Sequence, residues 1–142
     1  MRFEIPEKKK LVHEMTFPVR WGDMDVAGHV NNVMYFRYLE SLRLDWLNLE
    51  GLLPDPQGEG PLIVNAFCSY MKQLTFPDIV RAKLYITAPG RSSLDTYATL
   101  ERVDAPGVIR AAGGATIVWV NFPKEQAVPI PEEFRNKLLQ GQ

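Results

Sequence analysis

One segment, Arg20-Trp21-Gly22-Asp23-Met24-Asp25-Val26-Ala27-Gly28-His29-Val30-Asn31-Asn32, gathers the side chains that could do chemistry. It holds two carboxylates, one histidine and two carboxamides, and it runs directly into a long apolar-periodic stretch. If that stretch is a helix, its first N–H groups are free and carry partial positive charge. Such a terminus can polarise a carbonyl oxygen and hold an oxyanion. A nearby carboxylate can act as a base toward water or attack a reactive acyl carbon itself. Together these are the minimum parts for hydrolysing an activated acyl group. The same residues also suit a plain polar loop with an Asx turn and a helix cap, and residue types alone leave both readings open.

The elements that must position this segment follow from periodicity. Met15 to Trp21 reads as a strand, at an edge or bulged because Pro18 removes a ladder donor. Val33 to Leu49 reads as one long helix: Tyr35, Leu39, Leu42, Trp46 and Leu49 recur at spacings of three or four. Val33, Met34, Phe36, Tyr38, Leu44 and Leu47 widen the stripe, so other structure should surround most of this helix. Asn31 or Asn32 can cap its start and Gly51 can end it. Gly51 to Pro61, rich in Gly and Pro, is a surface loop. The period then changes to two. Leu62–Met71, Ile79–Ala88, Leu94–Val103 and Val108–Phe122 read as strands separated by short turns, which favours antiparallel neighbours. Gly113-Gly114 suggests a bulge or tight bend, and PIPEEFRNKLL a short closing helix with Pro131 in its first turn.

The fold class expected is α+β: a long central helix wrapped by a curved antiparallel sheet of about five strands. The 142 residues make a single domain, 1–142, with 1–13 as an N-terminal arm in which Lys8-Lys9-Lys10 is solvated. The far face of the sheet needs cover, which favours a dimer or larger assembly.

Composition removes several classes. With 16 Lys+Arg against 17 Asp+Glu the chain offers no basic field, so no nucleic-acid partner is expected. One cysteine, Cys68, excludes an intramolecular disulfide, and with only His13 and His29 beside it a Cys/His zinc site is not expected. The N-terminus lacks a signal-peptide pattern, and the longest uncharged run, Ala111 to Pro123, is too short for a helical membrane span. A cytoplasmic protein is expected. G-x-S-x-G and G-x-x-x-x-G-K-[ST] are absent, and Gly58 and Gly60 give an incomplete G-x-G-x-x-G before a strand.

VRWGDMDVAGHVNNVMYFRYLE resembles the opening of the hotdog-fold acyl-CoA thioesterases of the 4-hydroxybenzoyl-CoA thioesterase type. The resemblance runs from about residue 15 to 139 and includes PGRSSL, ATIVWVNFP and Val128-Pro129-Ile130-Pro131. It implies the hotdog fold, a homodimer or homotetramer with sites at subunit interfaces, and acyl-CoA hydrolysis. Coenzyme A is then part of the substrate and a product, and no other cofactor or metal is required. It places the catalytic carboxylate at Asp25, as general base or nucleophile, and the oxyanion donor at the backbone N–H near Asn32. His29 and Asn31 would orient water or the carboxylate, while Asp23 shapes the loop. Arg91, Ser92 and Ser93 resemble a CoA-facing turn, with Arg91 as a phosphate partner and Lys72 as a second cation. The acyl pocket would include Tyr35, Tyr38 and Phe67. Glu40 lies too deep in the helix for this chemistry and is expected at the surface, pairing with Arg43. Two other activities fit the same fold: an acyl-thioester hydratase or dehydratase with His29 as base, and a non-catalytic acyl-thioester binding module.

Overall fold

The computed structural model describes residues 4–140. Its elements are β1 (Lys10–Pro18), a single 3-10 turn (Trp21–Asp23), α1 (Asn32–Leu49), β2 (Glu59–Tyr70), β3 (Ile79–Ile86), β4 (Ser93–Arg102), β5 (Ile109–Asn121), β6 (Gln126–Ala127) and α2 (Glu132–Leu139). The sheet is antiparallel in the order β1-β3-β4-β5-β2, and the two-residue β6 pairs with β5.

Alternation builds the core. In β3, Val80, Ala82, Leu84 and Ile86 are buried while Arg81, Lys83 and Tyr85 take the opposite face. Leu94, Ala98 and Leu100 of β4 and Ala111, Ile117 and Trp119 of β5 join the same layer. The α1 residues Leu39, Leu42, Trp46 and Leu47 fill the space against it. Each such side chain contributes about 1.5–3 kcal/mol by leaving water. At one end α2 closes the layer: the Phe134 ring sits 5.7 Å from Trp46 and 5.6 Å from Trp119. No helix among the described residues is long and apolar enough to cross a membrane.

The expected arm is shorter than 1–13. Residues 10–13 belong to β1, whose register shifts between Leu11 and His13. That bulge places Val12 out of step and breaks the alternation a strand should show. Lys10 is not simply solvated, since its ammonium donates to the carbonyls of Leu138 and Gln140 at the end of α2. Lys9 lies 4.9 Å over the Tyr85 ring. The edge position expected for the first strand holds, but it ends at Pro18, and Trp21 lies in the 3-10 turn.

Gly113 and Gly114 do not form a bulge. They pair in regular register with Cys68 and Phe67. Gly113 is required by a close approach, because a Cβ there would meet the Phe67 carbonyl oxygen at 2.4 Å and Leu39 Cδ1 at 2.9 Å. The irregular points are instead between Ile63 and Asn65 and between Leu100 and Glu101.

Candidate active site

The segment between the first turn and α1 folds back on itself. Met24 and Val30 form an antiparallel bridge. Around it, Asp25 N–H donates to the His29 carbonyl at 2.8 Å and Asn31 N–H to the Asp23 carbonyl at 2.9 Å. The turn closes through Gly28 N–H to the Asp25 carbonyl at 3.1 Å, with Gly28 at φ 80°, a conformation favouring glycine. The 74–78 segment supports this small hairpin from the side. Val30 N–H donates to the Leu74 carbonyl at 2.9 Å, and Thr75 Oγ1 to the Gly28 carbonyl at 2.9 Å.

Asp25 is exposed at the tip. Its Oδ1 accepts from Ala27 N–H at 2.9 Å and, more loosely, from His29 N–H at 3.4 Å. Its Oδ2 makes no hydrogen bond among the described residues. The carboxylate is therefore oriented through one oxygen and open through the other. The His29 imidazole also makes no hydrogen bond, and His29 contributes backbone contacts alone.

Asn31 is the N-cap of α1, its Oδ1 accepting from Val33 N–H at 3.0 Å. The Gly28 carbonyl, four residues before Asn32, is taken by Thr75. Asn32 N–H, one of the first donors of the helix, has no hydrogen-bond acceptor among the described residues. A free donor at the helix start, in the field of the helix dipole, is what an oxyanion needs.

Asp23 has a different environment. It is buried, accepting from Tyr38 Oη at 2.7 Å and from Arg20 N–H at 3.0 Å through Oδ2. Burial, then the hydrogen bond and charge of Asp23, push the Tyr38 phenol well above its ordinary value. Asp23 thus anchors the loop to α1. Arg20, Asp23, Arg37, Tyr38 and Ser41 line a cleft of about 260 Å³ beside it.

The remaining expected residues do not all converge. Ser93 opens β4, next to the end of β3, whereas the Asp25 loop hangs on Leu74 and Thr75, before the start of β3. Arg91, Ser92 and Ser93 therefore stand at the opposite end of the sheet, roughly 30 Å away at about 3.4 Å per residue along ten-residue β4. Their turn is tied down by Trp119 N–H to the Ser92 carbonyl at 2.8 Å, and Arg91 Nη1 donates to Ser92 Oγ at 3.3 Å. Lys72 is exposed near the loop end, two residues before Leu74, and its N–H donates to the Arg110 carbonyl at 3.0 Å.

A shared pocket of Tyr35, Tyr38 and Phe67 does not form within the chain. Tyr35 and Tyr38 are buried on the α1 side, their rings 6.2 Å apart, and Tyr35 Oη accepts from Leu74 N–H at 3.2 Å. Burial raises the Tyr35 phenol as well. Phe67 pairs with Gly114 and covers it on the opposite sheet face. The two-residue period of β2 sends Phe67 outward and Cys68 inward. Cys68 packs against the core, and burial pushes its thiol up to about 11. Glu40 pairs with Arg37 at 3.3 Å rather than with Arg43. Arg37 and Arg43 lie three residues to either side of it, and Arg43 is on the buried face.

Thr75, which clamps the loop, and Arg43 were not singled out by residue type. Thr75 carries no sequence signal. Arg43 does, since it is a cation four residues after Leu39 and four before Leu47, inside the apolar stripe. Among the described residues no three His, Cys, Asp or Glu side chains are placed to hold a metal ion.

Residues 19–138 match the family model of the thioesterase-like superfamily. The chain belongs to this superfamily. Membership supports thioester hydrolysis as the general chemistry. The chain is similar to the PA2801 protein of Pseudomonas aeruginosa, with 35% identity and a TM-score of 0.85 over 90% of this chain and 98% of that one. The BH1999 gentisyl-coenzyme A thioesterase is 27% identical, with a TM-score of 0.75 over 87% of this chain and 99% of that one. An uncharacterised Bacillus subtilis protein, YsmA, is 25% identical over 121 residues, which is 85% of this chain and 81% of YsmA. Within this superfamily the antiparallel sheet and the long α1 fit a hotdog fold, with α2 as a second, shorter helix.

Proposed function

We propose that the protein hydrolyses acyl-CoA thioesters to a free acid and coenzyme A, using Asp25 and the Asn32 N–H. The observation that carries this reading is their local state: a carboxylate fixed by one oxygen and open at the other, and a free helix-start donor just beyond it. In the reaction the Asn32 N–H stabilises the oxyanion formed when the thioester carbonyl is attacked. The free Asp25 oxygen either takes a proton from the attacking water or attacks the carbonyl carbon itself. Asn31 keeps the helix start in place, and His29 lies beside the reacting water.

We further propose that the working unit is at least a homodimer. The long outer strand β2 leaves Leu62, Ile63 and Val64 exposed along an unpaired edge, and such an edge favours pairing with another strand. The separation of Arg91 from Asp25 within the chain supports the same view, because a second copy can bring its Arg91–Ser93 turn to CoA bound at this chain's loop. Lys72 then serves as a nearer cation for the phosphates.

The test is thiol release from a graded panel of acyl-CoAs by the wild type and Asp25→Asn, with subunit number read by light scattering. Turnover that survives Asp25→Asn nearly intact removes Asp25 from the mechanism. A monomer at working concentration removes the shared site.

A further inference from the structure

We propose that the groove over the C-terminal half of α1 binds an apolar carboxylate, with Arg43 holding the acid group. The groove has a volume of about 410 Å³, and its walls include Leu44, Leu47, Pro54, Pro61, Leu62 and Ile63. Arg43 is one of its few polar lining residues and is 9% exposed. It makes no side-chain hydrogen bond and no ion pair among the described residues. The one sealed, unpartnered side-chain polar atom among those residues is Arg110 Nε, so the Arg43 nitrogens keep some accessible surface.

A buried cation without a partner is costly, and a guanidinium does not escape by losing its proton. Burial lowers the Arg43 pKa from its ordinary value, while the charge of Glu40 partly opposes that. Glu40 shares the groove, but it is half exposed and its carboxylate pairs with Arg37 at 3.3 Å. What Arg43 lacks is an anion with two acceptor oxygens in one plane, which its fork of donors would meet bidentately. Glu40 apart, the walls are apolar and hold no second cation to share a dianion such as phosphate, so they suit a hydrocarbon body. One negative charge on an apolar body matches both features.

The site is separate from the Asp25 loop of its own chain. Arg43 is eleven residues beyond Asn32, roughly 16 Å down the helix at 1.5 Å per residue. The acid can come from two sources: a free carboxylic acid, or the acyl group of a thioester that ends in a second carboxylate and is bound at the Asp25 loop of a second copy. Only the second rests on the thioesterase reading.

The test titrates octanoate and octan-1-ol into the full-length protein by calorimetry, following the Arg43 Nε–H resonance by NMR. The expected result is octanoate binding at least about tenfold tighter than the alcohol, with the Arg43 resonance shifting. In Arg43→Met the preference falls to near one, and Arg43→Lys restores part of it. Equal affinity of the wild type for acid and alcohol overturns the proposal without any variant. So does a preference that survives in folded Arg43→Met, or an octanoate site elsewhere with a second copy covering the groove. A companion assay compares kcat/KM for adipoyl-CoA and hexanoyl-CoA. An adipoyl preference lost in Arg43→Met assigns the acid to the substrate. An unchanged ratio alongside lost octanoate preference assigns it to a free acid. Octanoate preference with no acyl-CoA turned over keeps this site and removes the thioesterase reading instead.

Discussion

At the start of α1 the polar groups are short and tied to backbone, whether exposed or buried: Asp25 to Ala27, Asn31 to Val33, Asp23 to Arg20. In the C-terminal half of the same helix a long cation is buried among Leu and Pro side chains with nothing tied to it. The first region is organised mainly by hydrogen bonds within a dozen residues and clamped from the side by Leu74 and Thr75. The second is assembled from α1, the loop after it and the start of β2. The difference teaches that one helix can carry two kinds of specificity. Its N-terminal end offers fixed dipoles to a developing charge, while its far half offers a fixed charge to an apolar body. The first is set by chain geometry and the second by what the fold leaves uncovered.

The largest expected effect separates the two ends. Asp25→Asn should lower kcat/KM for acyl-CoA by about 10²–10⁴-fold, the range for losing a positioned base. Its amide oxygen can still accept from Ala27 N–H, so the melting temperature and octanoate binding should stay at wild-type values. A parallel loss of both would join the two regions into one.

Next in size is the anchor between loop and helix. Tyr38→Phe leaves the buried Asp23 carboxylate without its hydroxyl donor and should cost about 1–3 kcal/mol in denaturant unfolding. It also has a pH signature. The folded phenol lies above its unfolded value near 10, so Tyr38 contributes fully below that pH and the contribution is lost as pH rises past it. Unfolding curves above pH 10 should therefore fall less steeply in Tyr38→Phe than in the wild type. An unchanged slope assigns the alkaline loss to other groups, of which Tyr35 is the next.

Smaller still is the cap. Asn31→Ala should cost about 1 kcal/mol by removing the acceptor for Val33 N–H. It should also depress kcat more than it changes KM, because the Asn32 donor loses its fixed direction. Equal scaling of kcat and KM would mean the donor is not used in the transition state. The smallest effect lies in the groove. Leu44 is already 42% exposed, so Leu44→Ser should shift stability by no more than about 0.5 kcal/mol. Octanoate should nevertheless bind several-fold more weakly to it, measured by the same calorimetry.

Much of the fold was legible because two-period and 3.6-period patterns need no partner to be read. The alternation in β3, β4 and β5 marks each within two residues of its observed ends, and α1 starts one residue earlier than its apolar stripe suggests. The start of β1 was hidden because the bulge at Val12 puts two apolar residues side by side. The loop motif and the free donor at the helix start were legible in residue type, but the loop's support was not: the Gly28 carbonyl is clamped by Thr75, forty-seven residues later. The face taken by Phe67 follows from register with Gly114, which composition does not encode. Arg43 was visible as a charge inside an apolar stripe. Whether such a residue finds a partner is decided by the loop at 51–58 and β2, far from it in sequence.

The turn at Asp25 has a chemical consequence. With one oxygen held by Ala27 N–H, the two carboxylate oxygens do different jobs at any moment, one bonded to the turn and the other facing the substrate. If Asp25 attacks the thioester and water then cleaves the anhydride at the aspartyl carbon, solvent oxygen is written into this side chain. Turnover in oxygen-18 water would then mark one identifiable residue of the protein, whereas a base that only carries protons would leave it isotopically untouched.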